Sequence, residues 1–472
     1  MRPTLEVADV FCRHGAAFRD RHDAHPGRVE RRVMAAIEAC RTPALGGHVE
    51  QCGDCGLVRC AYNWCRNRHC PKCQGLARAE WLEARQAELL PVPYFHVVFT
   101  LPVPAAEIAF QNKRVVYAIL FRAAAEAMRD VAAEPRHLGA EMGAVAVLHS
   151  WGQAMTYHPH LHCIVPAGGL SPDQTRWVAC RPGFLLPVRV LSRRFRELFV
   201  ARLWAASAAG ELHFSGTLAA LAEPAAFAER LAALHDVEWV VYAKPPFAGP
   251  DAVLTYLGRY THRVAIANSR LTRLSDGHAD FTWKDYRDHG KTKVMTLSAD
   301  EFIRRFLLHT VPDGFHRIRH IGFMANGHRT QKLALCRTLL AAPKPEPAMA
   351  ESYRDRTQRL TGHALDICPT AAVRCSSVDL CRAAPQRGSH SGATVHDQQR
   401  FVPTNQAARH LNVCIDKEGR GLMTDRTVLN VRSCSALRVI STRIPPCPRL
   451  PLHRARRGLP VGPASCLPPV AA

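Results

Sequence analysis

Two pairs of cysteines with matched spacing constrain this chain more than any other feature. Cys52 and Cys55 are separated by two residues, and Cys70 and Cys73 repeat that spacing after a gap of 14 residues. Four thiolates in this pattern close a tetrahedral zinc site, and Gly56 permits the tight turn of a metal knuckle. The spacing therefore predicts a zinc ribbon near the N-terminus that holds a structural Zn²⁺ through these four cysteines.

The residues around these pairs leave alternatives for the ligand set. Three residues between the pairs can replace a ligand or serve a second ion: Cys60, Cys65 and His69. Upstream, Cys12, His14 and Cys40 have no metal-ligand spacing, and we interpret them as incidental. Because no apolar signal segment is visible near Met1, the 18 cysteines are expected in a reducing compartment, where metal binding is favoured over disulfides.

The chain carries a large excess of positive charge. Its 62 lysines and arginines against 40 acidic residues give a formal net charge of +22, which favours a nucleic-acid partner. In the ribbon, Arg66 and Arg68 stand near Tyr62 and Trp64, a combination suited to phosphates and stacked bases. A ribbon that contacts a protein partner is the alternative. No run of eighteen apolar residues occurs, so the sequence predicts no membrane span.

A pair of histidines lies in a segment with a strand pattern. His160 and His162 alternate with Leu161 in a run of β-forming residues that ends at Pro166. Side chains two residues apart share one face of a strand, about 7 Å apart along its axis. Two such imidazoles can hold one divalent ion and leave its other positions open to substrate. A hairpin edge with two surface histidines is the alternative.

A second segment with candidate catalytic residues has the pattern of a helix and contains two tyrosines. Tyr256 and Tyr260 are four residues apart, so both project from one helix face, with Arg259 and Arg263 beside them. A phenol is a weak nucleophile alone, but arginines and a divalent cation make its phenolate accessible and a phosphodiester electrophilic. Two tyrosines in an ordinary amphipathic helix are the alternative.

Several motifs, in this order and spacing, resemble one known family. His160-Leu161-His162 followed by Tyr256-x3-Tyr260 is similar to the arrangement of HUH endonucleases. The wider set is similar to the two-tyrosine, rolling-circle transposases of bacterial insertion sequences, the IS91 family, over residues 10–345. The motifs of this wider set are Trp151-Gly-Gln153, His158-Pro-His160, Tyr260-Thr-His-Arg263, Cys65-Arg-Asn-Arg-His-Cys70-Pro-Lys-Cys73, Lys284-Asp-Tyr286, Glu301-Phe-Ile-Arg-Arg-Phe306 and Phe315-His-Arg-Ile-Arg-His-Ile-Gly322.

The resemblance implies a fold and a mechanism. The fold would be α+β: a helical lead-in and zinc-binding domain at 1–90, then an HUH domain at 91–345 with an antiparallel sheet and flanking helices. His160 and His162 would bind Mg²⁺ or Mn²⁺, with Gln153 or His149 as the third ligand. Tyr256 and Tyr260 would attack single-stranded DNA, each leaving a 5′-phosphotyrosine and a free 3′-hydroxyl, so no nucleotide cofactor is needed.

The implied partners are single-stranded DNA and insertion-sequence ends, in the bacterial cytoplasm at the nucleoid, with no membrane. The expected DNA-binding residues are Arg66, Arg68, Arg259 and Arg263. An HUH replication initiator or relaxase is one alternative, since paired tyrosines suit initiators too. A catalytically inactive zinc-ribbon DNA-binding remnant is another.

The sequence changes character beyond about Lys344. Periodicity fades, so residues 346–472 are predicted to be an irregular, disordered tail. Members of the family often end in a C-P-x-C-G knuckle, and Cys368-Pro369-Thr370 begins that pattern before Ala371 and Ala372 interrupt it. We therefore expect a shifted reading frame or a fusion after about Thr370.

Overall fold

A computed structural model describes most of this chain. The described residues are 5–22, 26–244, 252–253, 258, 265–344, 351–362, 367–368, 370–381, 413–415 and 421–423. They fall into two units: a large unit of residues 5–41 and 64–367, and a small unit of residues 42–63 and the described residues from Cys368 onward. The chain therefore leaves the large unit after Arg41, returns at Trp64, and leaves it again after Ile367.

The elements of the described residues follow in chain order. The helices are α1 (Val7–Arg21), α2 (Arg28–Ala39), α3 (Gln74–Gln86), α4 (Val103–Gln111), α5 (Lys113–Ala133), α6 (Val188–Ala208), α7 (Pro224–Asp236), α8 (Ala299–Leu308), α9 (Arg329–Leu339) and α10 (Tyr353–Thr361). Short 3₁₀ turns occur at Pro43–Leu45, Gly216–Ala222, Asn268–Arg270 and Tyr286–Asp288.

The strands are β1 (Gly47–Cys52), β2 (Val58–Tyr62), β3 (Tyr94–Thr100), β4 (Glu141–Trp151), β5 (Tyr157–Pro166), β6 (Gly168–Leu170), β7 (Trp177–Ala179), β8 (Val241–Lys244), β9 (Leu271–Ser275), β10 (His278–Asp285), β11 (Lys291–Ser298), β12 (Ile318–Gly322), β13 (Cys375–Cys381), β14 (Val413–Ile415) and β15 (Gly421–Met423).

A seven-stranded antiparallel sheet is the centre of the large unit. Its strands run in the order β7-β6-β4-β5-β3-β8, and β12 also pairs with β4. One face of β5 presents Leu161, Cys163 and Val165 to the main hydrophobic core, in which buried side chains of α5 and α6 also lie. This arrangement follows from residue type, because the core-facing apolar residues of β5 alternate with His160 and His162, while Ala, Val and Leu fill much of the buried face of α5. The α+β class with an antiparallel sheet, expected from the sequence, is confirmed.

A second core joins the N-terminal helices to a three-stranded meander. Strands β9, β10 and β11 form an antiparallel sheet, and Ser298 caps the helix that follows by accepting a hydrogen bond from the Glu301 N–H. Phe11 of α1 contacts Phe306 of α8 edge to face, with 5.2 Å between ring centroids. The lead-in helices are therefore built into the large unit.

The small unit is a three-stranded antiparallel sheet in the order β13-β1-β2. Gly47 lies where β1 approaches β2 so closely that a side chain would overlap the Ala61 carbonyl oxygen. Strands β14 and β15 form a separate two-stranded ladder. The predicted irregular tail at 346–472 thus contains a described helix at Tyr353–Thr361 and a described strand at Cys375–Cys381. The predicted domain boundaries and the predicted frame change stay predictions.

Candidate functional site: a histidine group and two cysteine groups

Three histidines converge on one face of the central sheet. His160 and His162 lie on β5, and His149 lies on β4 directly opposite His160 in the ladder. Their ligating nitrogens all lie within 4.8 Å of one another, and the Nε2 atoms of His160 and His162 are 3.0 Å apart. Strand periodicity and cross-strand pairing together therefore build a three-imidazole site.

Hydrogen bonds fix the tautomer of His160. Its Nδ1 lies 2.6 Å from the carbonyl oxygen of His158, which can only accept, so Nδ1 carries the proton. The lone pair of the neutral ring is consequently on Nε2, the atom that faces His162. A carbonyl partner on the outer nitrogen is the arrangement that orients metal-binding histidines.

His96 gives His162 a similar partner. His96 Nε2 lies 2.7 Å from His162 Nδ1, and the two rings stack with 5.0 Å between centroids. A ligating Nε2 on His162 requires a protonated Nδ1, which can donate to His96 across this contact. His96 itself lies outside the three-imidazole group.

Burial keeps these rings uncharged at neutral pH. Desolvation lowers the pKa of His160 to about 3 and the pKa of His96 to about 3, and it lowers the pKa of His162 well below its ordinary value. The neutral imidazole is the form that binds metal. His160 and His162 can therefore bind a divalent ion without first losing protons. Three nitrogen donors suit a transition ion such as Mn²⁺ better than Mg²⁺, which prefers oxygen ligands.

Of the two expected third ligands, Gln153 and His149, the structure brings His149 into the group. Gln153 lies beyond the end of β4, past a register shift between His149 and Trp151. Its side-chain amide donates to the Tyr286 hydroxyl at 3.5 Å. Because Gln153 is outside the ladder, no cross-strand pairing holds it opposite His160, and the structure brings His149 there instead.

The predicted nucleophiles Tyr256 and Tyr260, with Arg259 and Arg263, lie outside the described residues. Their described chain neighbours are informative. Val253, three residues before Tyr256, belongs to a buried apolar cluster with Tyr94 and Ile164. Ile164 lies two residues after His162 on the same face of β5. Gly258, between the two tyrosines in sequence, has a helical backbone, and a Cβ there would come 2.8 Å from Leu82 of α3.

Four cysteines of the large unit form a cluster, which we call the Cys40 group. Cys40, Cys65, Cys70 and Cys73 place their sulfur atoms within 4.8 Å of one another, with Cys73 Sγ 3.5 Å from Cys40 Sγ and 3.6 Å from Cys65 Sγ. A tetrahedral Zn²⁺ with bonds of about 2.3 Å separates its sulfurs by about 3.8 Å, so these thiols fit zinc.

The predicted grouping of Cys52, Cys55, Cys70 and Cys73 in one ribbon differs from this arrangement. Cys52 belongs to a second group, in the small unit, with Cys368 and Cys375. Two equal C-x2-C spacings show that each pair is a knuckle but not which partner completes it. Cys55 lies 3.4 Å, sulfur to sulfur, from Cys368.

Cys40 is the ligand candidate that the sequence interpretation missed. It is the C-terminal cap residue of α2, and its place directly after a basic amphipathic helix was the available signal. Of the alternatives, Cys65 joins the group, while Cys60 is exposed on β2. His69 is engaged elsewhere, because its Nε2 accepts a hydrogen bond from the Val311 N–H at 3.2 Å.

Two predicted DNA-binding arginines of this region differ in environment. Arg66 and Arg68 are both exposed, but the Arg68 guanidinium donates to the Phe315 carbonyl oxygen. Arg66 adopts a left-handed backbone with φ of 52°. The two arginines therefore differ in that the Arg68 side chain also links two segments of the large unit.

No helix among the described residues has both the length and the apolar character needed to cross a membrane.

Comparisons with known proteins place the chain in a family. A family model described as "Putative transposase" matches residues 143–332, and a "Transposase zinc-binding domain" model matches residues 10–101. A putative transposase, y4qJ, of Sinorhizobium fredii is 60% identical over 367 residues, which cover 77% of this chain and 92% of that protein. No solved structure shows a significant match.

The transposase for insertion sequence element IS801 of Pseudomonas savastanoi pv. phaseolicola is 29% identical over 381 residues, 79% of this chain and 89% of that protein. The zinc-binding match spans all four cysteines of the Cys40 group, and the transposase match spans the three histidines. The chain therefore belongs to the IS91 family of insertion-sequence transposases and has that family's zinc-binding domain at its N-terminus.

Proposed function

We propose that this transposase cuts and rejoins single-stranded DNA through 5′-phosphotyrosine intermediates on Tyr256 and Tyr260, in rolling-circle transposition. The observation that carries the proposal is the three-histidine group, in which the tautomer of His160 is fixed and which lies on the same strand as Ile164. Ile164 shares a buried cluster with Val253, which precedes Tyr256 by three residues. This contact brings Val253, a described neighbour of the tyrosine segment in the sequence, against the strand that carries His160 and His162.

The chemistry assigned to the chain's own residues is a phosphoryl transfer. A tyrosine oxygen attacks the phosphorus of a phosphodiester and the P–O3′ bond breaks. The phenol gives up its proton, and the 3′-oxygen takes up one proton and leaves as a hydroxyl. A divalent ion bound by His149, His160 and His162 would polarise the phosphate and stabilise the charge on the leaving oxygen. Because the phosphotyrosine ester keeps the bond energy, a 3′-hydroxyl can later attack it and restore the DNA strand.

Two tyrosines allow two strands to be held at once. One phenol would carry the donor strand while the other cuts the target strand, so that exchange proceeds without hydrolysis. Residues four apart on a helix are separated by about one turn, a rise of roughly 5.4 Å, so both can use one ion in successive steps.

The zinc-binding domain, through Arg66, is assigned to recognition of the element's DNA end at the nucleoid.

The test is a covalent adduct. The full chain is incubated with Mn²⁺ or Mg²⁺ and a 3′-labelled single-stranded oligonucleotide that carries the element end. The labelled fragment should become attached to the protein by its 5′ phosphate. Tyr256→Phe and Tyr260→Phe should each still form one adduct but complete no strand transfer, and the double variant should form none.

Tyr286→Phe is the matched control, because this exposed phenol lies near the turn after β4 and should not be needed. An adduct that persists in the double variant and maps to Tyr157, Tyr242 or Tyr286 would show that the assigned helix is wrong. A wild-type chain that binds the oligonucleotide but forms no adduct with either ion would be an inactive DNA-binding remnant.

A further inference from the structure

The small unit contains a loop with the backbone pattern of a metal knuckle. In residues 52–57, the Cys52 N–H donates to the Leu57 carbonyl at 2.9 Å, and the Gly56 N–H donates to the Cys52 carbonyl at 3.0 Å. Gly56 has φ of 69°, the left-handed conformation that glycine adopts without strain. Cys55, three residues after Cys52, is carried at the exposed tip of this loop.

A second loop, far away in the sequence, has the same hydrogen bonds at its described residues. In residues 368–373, the Cys368 N–H donates to the Val373 carbonyl at 2.8 Å, and the Ala372 N–H donates to the Cys368 carbonyl at 3.0 Å. Ala372 holds the left-handed position with φ of 56°. Non-glycine residues seldom adopt this conformation, so the loop keeps a knuckle's geometry without a knuckle's usual sequence.

The two loops differ at the position of the second thiol. Ala371 stands where the first loop has Cys55, and its N–H donates to Cys368 Sγ at 3.4 Å. The missing sulfur is supplied from the next strand. Cys375 begins β13 and pairs directly with Cys52 in the ladder between β1 and β13, and it is buried beside Cys52 and Cys368.

Three of the four sulfur positions suit one tetrahedral ion, and the fourth sulfur, of Cys55, lies next to one of them. The sulfurs of Cys52, Cys368 and Cys375 lie within 4.8 Å of one another, and Cys55 Sγ lies 3.4 Å from Cys368 Sγ. Sulfur atoms around a tetrahedral Zn²⁺ are about 3.8 Å apart. Burial of three thiols in so small an apolar cluster, with Leu57 and Val373, contributes little stability unless a metal links them.

We propose that Cys52, Cys55, Cys368 and Cys375 bind a second structural Zn²⁺, separate from the ion of the Cys40 group. This ion joins the hairpin at 47–62 to residues 368–381, across a sequence separation of 313 residues between Cys55 and Cys368. The small unit thus depends on metal to connect two distant segments of the chain. The site is independent of the strand-transfer chemistry proposed above.

Cys55 and Cys60 provide a matched pair for the first test, because both are exposed thiols of the small unit. The native, full-length chain is treated with iodoacetamide, with and without a zinc chelator, and the modified cysteines are mapped by mass spectrometry. Cys60 should react in both samples, whereas Cys55 should resist until the chelator is added. Equal reaction of the two thiols before chelation would overturn the proposal.

A disulfide between Cys55 and Cys368 would also protect Cys55, so the experiment is repeated in a phosphine reductant. Metal protection survives the reductant and is lost to the chelator. If the reductant alone removes the protection, Cys55 is held in a disulfide and not by a metal.

The second test is zinc content. The wild-type chain should hold one ion in each of its two cysteine groups. Cys368→Ser and Cys375→Ser should each lose one of the two ions, Cys70→Ser should lose the other, and Cys60→Ser should keep both. The proposal would be contradicted if Cys368→Ser and Cys375→Ser kept both zinc ions. It would also be contradicted if Cys70→Ser lost all of its zinc. If the serine variants are insoluble, the alkylation of the wild-type chain decides.

Discussion

At the scale of single residues, His149 and Gln153 illustrate how a ligand is selected by its place in a ladder. His149 faces His160 across two paired strands, whereas Gln153 follows the end of β4 and contacts Tyr286. A ligand held by strand pairing loses little conformational entropy when an ion binds. His149 should therefore contribute to ion affinity and Gln153 should not.

We expect His149→Ala to weaken Mn²⁺ binding, and DNA cleavage at limiting Mn²⁺, by roughly 100-fold or more, since losing only the hydrogen-bond partner of a ligand already costs about 10–100-fold. Gln153→Ala is the control and should stay close to wild type. The measurements are a Mn²⁺ titration of oligonucleotide cleavage and a direct binding isotherm. If Gln153→Ala weakened Mn²⁺ binding more than His149→Ala, Gln153 would be the third ligand.

These residues also show how far the sequence predicts the site. His160 and His162 are predictable because a two-residue spacing in a strand fixes a shared face. The choice of His149 is not, because the residue opposite His160 depends on strand register and on the irregularity between His149 and Trp151. Likewise, the two equal cysteine spacings predict knuckles but not their partners, which come from Cys40 on one side and Cys368 on the other.

At the scale of elements, β12 extends the sheet beside the strand that carries His149. Its last residue, Gly322, pairs with Gly143 of β4 and has φ of 60°. A Cβ at this position would overlap the carbonyl oxygen of Met142. Both the backbone conformation and the close approach of two strands therefore require glycine at the end of β12.

Replacing this glycine should destabilise the large unit. Gly322→Ala adds left-handed strain and a backbone clash, with an expected loss of about 3 kcal/mol or more in the free energy of unfolding. Gly327→Ala is the matched control, because a Cβ there meets nothing within 4 Å. Thermal unfolding of both variants tests this expectation, which fails if their midpoints agree.

Prediction succeeds better for elements than for their connections. The strand expected around His160 and His162, ending at Pro166, is β5 at Tyr157–Pro166, because apolar side chains alternate with these histidines along the run. The pairing of β13 with β1 could not be predicted, because nothing local in the sequence relates segments more than 300 residues apart.

At the scale of the whole molecule, the net charge of +22 makes electrostatic attraction the largest contribution to the affinity for DNA. Single-strand binding that neutralises about five phosphates would weaken roughly 100-fold between 50 and 200 mM salt. Most of this affinity should be independent of the histidine group, since neutral imidazoles contribute no positive charge.

Arg66 and Arg68 allow a matched test of this expectation. Arg66→Ala should weaken oligonucleotide binding and reduce the slope of log affinity against log salt by about 0.7, the value for one phosphate contact, without lowering the unfolding midpoint. Arg68→Ala should also lower thermal stability, because its guanidinium donates to the Phe315 carbonyl. An unchanged salt slope in Arg66→Ala would exclude Arg66 from the DNA interface.

The strand order β13-β1-β2 has a consequence for how the protein is made. The hairpin of β1 and β2 leaves the ribosome early, but the strand that covers the other edge of β1 is translated about 300 residues later. Throughout that interval the nascent chain carries an open row of backbone N–H and C=O groups, the kind of edge that invites pairing with another chain. A messenger RNA that ends before the codon for Cys375 would yield a polypeptide in which this edge of β1 stays unpaired.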